Sequence, residues 1–133
     1  MKTKEVRYNV NHLDLFNIDE DIELLKIQTE FNTEAITILI DNIPVIATGL
    51  RLVNKNTGEI WLVKSKYLAK YKIYVIKRLK ELIDFFAKKY KLTRMQTLIN
   101  KENEKWIKCL GFEKETELAN FSDETTYIYR RLF

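Results

Sequence analysis

Glycine occurs three times in 133 residues, and proline and cysteine once each. So little of the first two excludes collagen-like, linker-like and glycine-rich low-complexity chains. The single Cys109 has no internal partner for a disulfide, which fits a reducing compartment. No apolar run approaches the roughly 18 residues that cross a bilayer. The opening MKTKEVRYNV carries charge where a signal peptide would carry its apolar core. His12 is the only imidazole, and no His or Cys pair stands at metal-ligand spacing, so no metal site is expected. A phosphate-binding P-loop and a dinucleotide fingerprint are also missing. What is present is core material, with 46 % apolar and 12 % aromatic residues, and this excludes intrinsic disorder. These bounds predict a soluble, cytoplasmic, single-domain protein over 1–133, with no membrane partner and an oligomeric state that the sequence leaves open.

The formal charge of +4 is a difference between two opposed segments. Residues 14–34 hold Asp14, Asp19, Glu20, Asp21, Glu23, Glu30 and Glu34 against Lys26 alone, a net of −6. Residues 64–91 hold ten Lys and Arg against Glu81 and Asp84, a net of +8. A basic stretch of that density is either a solvated helix face or a surface for phosphate, nucleic acid or an acidic protein.

Periodicity supplies the elements. Residues 4–10 alternate as a short strand, and 14–31 carries Leu15, Ile18, Ile22, Leu25 and Gln28 at the spacing of one helical face. Residues 34–41, 44–53 and 58–64 read as three antiparallel strands, turning at Asp41–Asn42 and again over 54–58, with Pro44 opening the second. A long helix follows over 67–90, with Ile76, Leu79, Ile83, Phe86 and Tyr90 on its apolar face. Residues 93–99 form a strand set parallel to 58–64, and 101–110 a short helix stopped by Gly111. Strands over 112–118 and 125–132 close the chain. Trp106, Leu110 and Phe112 are expected in the core, with Cys109 as a small buried hydrophobe.

That order of elements resembles the GCN5-related N-acetyltransferase (GNAT) fold over nearly the whole chain. The likeness is most specific in RMQTLINKENEKWIKCLGFEKETELANF followed by TTYIYRRL, where a strand leads into a helix ending in Leu110-Gly111-Phe112 and a hairpin closes the domain. The Trp-x-x-x-Leu-Gly-Phe spacing also resembles a divergent group of bacteriophage GNAT-like proteins, some linked to virion structure. The implied fold is α/β (α+β), a mixed, mostly antiparallel central sheet flanked by helices. The implied activity is transfer of an acetyl group from acetyl coenzyme A to an amine in the cytoplasm of a bacterial or phage-infected cell. The alternative is a catalytically degenerate protein that acts in virion structure or binds a host protein or nucleic acid.

In GNAT enzymes the strand before the long helix splays from its neighbour, and its free amides hold pantetheine. Here the resemblance assigns that role to Ile60, Trp61, Leu62 and Val63. The pyrophosphate falls to the segment after it, with Ser65, Lys66, Ala69, Lys70, Tyr71 and Lys72 as contributors, and Asn100 joins them ahead of the closing helix. A helix start suits an anion because its N–H groups are unpaired. The attacking amine must be neutral, and because carboxylates on that strand often serve in the family, the resemblance implies Glu59 as the general base. Two positions depart from the family. Its closely spaced glycines are missing, since none occurs between Gly58 and Gly111. Its proton-donating tyrosine, four residues before the glycine, is replaced by Ile107. Phosphate binding would then rest on lysine side chains, and the proton donor would have to be sought among Tyr67, Tyr71, Tyr127 and Tyr129.

Overall fold

The computed structural model describes residues 1–118 and 126–133, so Thr125 of the expected last strand lies outside the described residues. Among the described residues seven strands and three α-helices follow in the order β1 (Thr3–Arg7), α1 (Ile22–Thr29), β2 (Glu34–Ile40), β3 (Ile43–Leu52), β4 (Thr57–Lys64), α2 (Lys72–Lys89), β5 (Arg94–Asn100), α3 (Glu104–Cys109), β6 (Glu113–Leu118) and β7 (Thr126–Leu132). Short 3-10 turns at Val10–Leu15, Leu68–Tyr71 and Lys101–Asn103 precede the helices. The sheet order is β1-β2-β3-β4-β5-β7-β6. β4 and β5 are parallel, whereas β1/β2, β2/β3, β5/β7 and β6/β7 are antiparallel. A connection of only four residues joins β3 to β4, too short for the crossover that parallel strands need. The expected meander, parallel strand and α/β class are therefore found.

The chain divides into two compact units, one of Met1–Arg51 with Trp61–Val75, the other of Leu52–Ile60 with Ile76–Phe133. In the first, Leu13, Phe16, Ala47 and Val63 are buried together, and Tyr8, Ile18, Ile22, Leu25 and Trp61 pack against them. The β2–β3 turn holds Asp41 and Asn42 at φ of 51° and 68°, the paired left-handed geometry of a tight hairpin. A bulge between Ile38 and Leu39 sets Leu39 opposite Pro44, which is the second residue of β3 rather than its first. The 14–31 helix is shorter than its periodicity predicts. Asn17 turns left-handed at φ 53°, and the Asp21 carboxylate accepts the Leu24 N–H at 3.1 Å, so the helix starts afresh at Ile22. Leu15 consequently leaves the apolar face and is 61 % exposed.

In the second unit Leu79, Leu82, Ile83 and Phe86 of α2 are buried, as are Leu92, Met95, Ile107, Leu110, Phe112 and Tyr129. α2 ends with Lys91 at φ 54° and the Leu92 N–H on the Ala87 carbonyl, a Schellman closure in which lysine takes glycine's place. α3 closes the same way through Gly111 at φ 90°, with the Gly111 N–H on Lys108 and the Phe112 N–H on Ile107. Three burial expectations need correction. Ile76 and Trp106 are half-buried, and Cys109 is exposed. Cys109 lies two residues from buried Ile107, roughly 200° around a helix of 3.6 residues per turn, and so points away from the core.

A Cβ at Gly111 would come no closer than 3.5 Å to Arg131, so its substitution is limited by backbone and not by space. Gly111→Ala should cost about 1–2 kcal/mol in denaturant unfolding, and Gly111→Asn less, because asparagine tolerates the left-handed region.

Candidate functional site

β4 and β5 share only three residue pairs, Thr57↔Arg94, Gly58↔Met95 and Glu59↔Gln96. Among the described residues no further pair joins them, while β5 continues with β7 as far as Asn100↔Thr126. From Ile60 onward β4 therefore has an edge that β5 does not take. The side chains of Ile60 and Val63 are buried and those of Trp61 and Leu62 half-buried, so what this stretch leaves accessible is chiefly its main chain. Glu59 is half-buried on the last paired position. Asn100 is half-buried as well, its Oδ1 accepting the Asn103 Nδ2–H at 3.0 Å. Glu59, Ile60 and Asn100 belong to the second unit, and Trp61 to Lys72 to the first.

The segment after β4 has already committed its backbone. The Ser65 N–H donates to Val45 at 3.0 Å, Lys66 to Phe16 at 3.0 Å, and Leu68 to Ser65 at 3.3 Å. The Tyr67 N–H donates to the Ser65 hydroxyl at 3.1 Å. Four successive amides thus have partners within the protein, where a glycine-rich loop would aim them at phosphate. The side chains of Lys66, Ala69, Lys70 and Lys72 are exposed and Tyr71 is half-buried. The Lys70 ammonium lies 5.6 Å from the Tyr71 ring centre, so lysine cations, not loop amides, dominate the positive charge here.

A second constellation went unseen in the sequence. Trp61 lies flat against Gly49, where a Cβ would come within 2.5 Å of the indole. Its Nε1–H donates to the Asn32 Oδ1 at 2.5 Å, and its ring meets Tyr8 edge-on with centroids 5.0 Å apart. The Tyr8 hydroxyl lies 2.6 Å from the Thr29 hydroxyl, which donates to the Leu25 carbonyl at 2.7 Å. Burial, ahead of any other cause, raises the Tyr8 pKa and keeps its phenol protonated. Beside this network runs a groove of about 700 Å³ lined by Glu5, Arg7, Tyr8, Glu30, Asn32 and Glu34. Network and groove residues are scattered over four segments, 5–8, 25–34, Gly49 and Trp61, so no local spacing could reveal them. The one sequence signal is Gly49 inside a β-branched strand, a sign of close approach.

The tyrosines raised as proton donors fall into different settings. Ile107, at the family's tyrosine position, is buried. Tyr129 is fully buried, and its hydroxyl donates to the Glu104 carboxylate. Burial first, then Glu104, pushes its pKa up to about 12, which makes it a poor acid. The same hydrogen bond, with Lys114 at 3.1 Å, lowers the Glu104 pKa. Tyr127 is buried under the Lys114 ammonium, whereas Tyr67 is exposed. Among the described residues no cluster of His, Cys, Asp and Glu is set to hold a metal ion.

No family model and no curated protein matches the sequence. Solved structures do match. An acetyltransferase from Streptococcus agalactiae superposes with TM-score 0.76 at 19 % identity over 98 % of each chain. A GNAT-family acetyltransferase from Bacillus anthracis gives 0.70 at 17 % identity over 99 % of this chain and 95 % of that one. The ribosomal L7/L12 alpha-N-protein acetyltransferase RimL, solved in complex with coenzyme A, gives 0.73 at 11 % identity over 98 % of this chain and 94 % of that one. The chain therefore has the GNAT acetyltransferase fold. At these identities the likeness is one of fold.

His12 adds a pH-dependent feature to the first unit. Its Nδ1 accepts the Asn9 N–H at 3.2 Å and lies 2.8 Å from the Thr37 hydroxyl, so the neutral ring fits the turn. Partial burial lowers its pKa below 6.5. The contribution to stability is complete above about pH 6.5, the unfolded value, and is lost as pH falls through the folded one. Denaturant midpoints measured across that window should fall on acidification, and His12→Asn should flatten the part of the slope that is due to this ring.

Proposed function

We propose that the chain is an acyl-coenzyme A-dependent N-acetyltransferase. The observation that carries this reading is the early end of the β4/β5 ladder, which leaves a strand edge from Ile60 onward just ahead of a lysine-rich segment. That edge fits the amide-bearing pantetheine arm, because main-chain N–H and C=O groups in a strand seek strand-like partners. The committed amides of Ser65–Leu68 leave the phosphates to the side chains of Lys66, Lys70 and Lys72 and to the turn at Ala69–Tyr71. Bound coenzyme A supplies the acetyl group as a thioester. Glu59 accepts the proton of the incoming amine and frees its lone pair. The N–H groups on the open side of residues 60–63, every second one because the others face β3, would orient the acyl carbonyl and stabilise negative charge on its oxygen. With buried Ile107 in the donor position, no tyrosine there would protonate the leaving thiol group.

A second reading is favoured by the same committed loop amides. In it, a GNAT-shaped protein without the cofactor site binds a host protein or nucleic acid through the basic 64–91 segment, or serves in virion structure as the resemblance to phage proteins implies.

Isothermal titration with acetyl coenzyme A separates the two readings. The enzyme reading expects binding that weakens between low and moderate salt, since exposed charges are screened over about 8 Å at physiological ionic strength. Lys66→Ala/Lys70→Ala/Lys72→Ala should weaken it by roughly 0.5–3 kcal/mol, at 0.2–1 kcal/mol per exposed pair. Absence of binding at both salts would leave the binding-protein reading. Glu59→Gln should lower acetyl transfer to an amine by about 10²-fold or more while leaving acetyl coenzyme A affinity unchanged, and an undiminished rate would remove Glu59 from the base role.

A further inference from the structure

The first unit carries two exposed apolar patches of opposite electrostatic setting. On α1 and just past its end, Leu24, Ile27 and Phe31 are 49 %, 68 % and 74 % exposed. Leu24 and Ile27, three residues apart, share the face of α1 opposite to Ile22, Leu25 and Thr29, which turn inward, and Phe31 follows just past the helix C-cap. Around them the chain is acidic. Lys26, the only cation in 14–34, is already held by Asp14 at 2.9 Å and Glu23 at 3.6 Å, while Asp19, Glu20 and Glu30 are exposed. The other lies in the stretch leading into α2, where Ile73 is 88 % exposed and Lys66, Tyr67, Lys70 and Lys72 are exposed as well. Not one Asp or Glu occurs between Glu59 and Glu81, so this stretch of the sequence is basic throughout.

We propose that these patches are the two halves of a head-to-tail contact between copies of this chain, with the Leu24–Ile27–Phe31 face of one on the Tyr67–Ile73 patch of the next. Apolar residues meet at the centre, and the acids flanking α1 face the lysines of residues 66–72. A symmetric α1-to-α1 contact is disfavoured because it opposes carboxylate to carboxylate. A contact between two different surfaces does not satisfy itself, so it propagates into a ring or an open string. With few anchors on each side the contact is weak and depends on salt. The proposal does not rest on the acetyltransferase reading.

Sedimentation velocity of the full chain over a micromolar-to-millimolar range tests it. At low salt the weight-average mass should climb with concentration past that of a dimer, and at high salt it should return to 16.0 kDa. Ile27→Ser/Phe31→Ser and Ile73→Asp, all at exposed positions, should each be monomeric with unchanged circular dichroism. An equimolar mixture of the two variants should form a heterodimer and nothing larger, because each supplies one intact surface. The proposal fails if the wild type is monomeric throughout, if either variant alone associates like wild type, or if the mixture stays monomeric.

Discussion

A missing methyl group governs the first unit. Only because Gly49 carries no Cβ can the Trp61 indole lie against β3, within 2.5 Å of where that atom would be. From there its N–H reaches Asn32, its ring edge meets Tyr8, and Tyr8 reaches Thr29 at the end of α1. At that helix end the Thr29 hydroxyl bonds back to the Leu25 carbonyl, and the orphan Thr29 carbonyl accepts from Asn32 Nδ2 at 2.5 Å. One strand position thus sets the direction in which an eight-residue helix leaves the sheet, and with it the wall of the groove beside Tyr8.

The second unit is organised by its helix ends. Both α2 and α3 finish on a left-handed residue that folds the chain straight into the next strand, Lys91 before β5 and Gly111 before β6. Buried Leu92 and Phe112 follow these residues directly. The closing strands are then tied by ion pairs. Arg94 meets Glu115 through both guanidinium nitrogens at 2.6 and 2.7 Å, with Arg130 on the same carboxylate at 3.3 Å. The forked geometry gives this pair direction as well as attraction. The two carboxylates most visibly lowered in pKa, Glu104 and Glu115, both serve this framework.

Much of the fold was legible because it rests on local rules. The left-handed pair Asp41–Asn42, the apolar ridge of α2 and the glycine after Leu110 each announce themselves within a few residues. The errors came where one position satisfied two local patterns. Leu15 fits the apolar phase of the following helix, yet Asn17 breaks that phase and leaves it 61 % exposed. Cys109 looks like a core residue by type, but a six-residue helix presents only a narrow inward ridge. The candidate cofactor residues were likewise read from the order of elements. The sequence does show that the loop after β4 lacks glycine; that its amides are spent on Val45, Phe16 and Ser65 is visible only once those distant partners are in place.

By itself the sequence determined the order of the elements, the Asp41–Asn42 turn, the Gly111 cap, and the opposed charge of 14–34 and 64–91, because each follows from side chains close together along the chain. Tertiary structure alone decided where β4 parts from β5, which amides remain to bind, and that Tyr8, Thr29, Asn32, Gly49 and Trp61 form one network. Those outcomes depend on packing between residues tens of positions apart, for which no local periodicity exists.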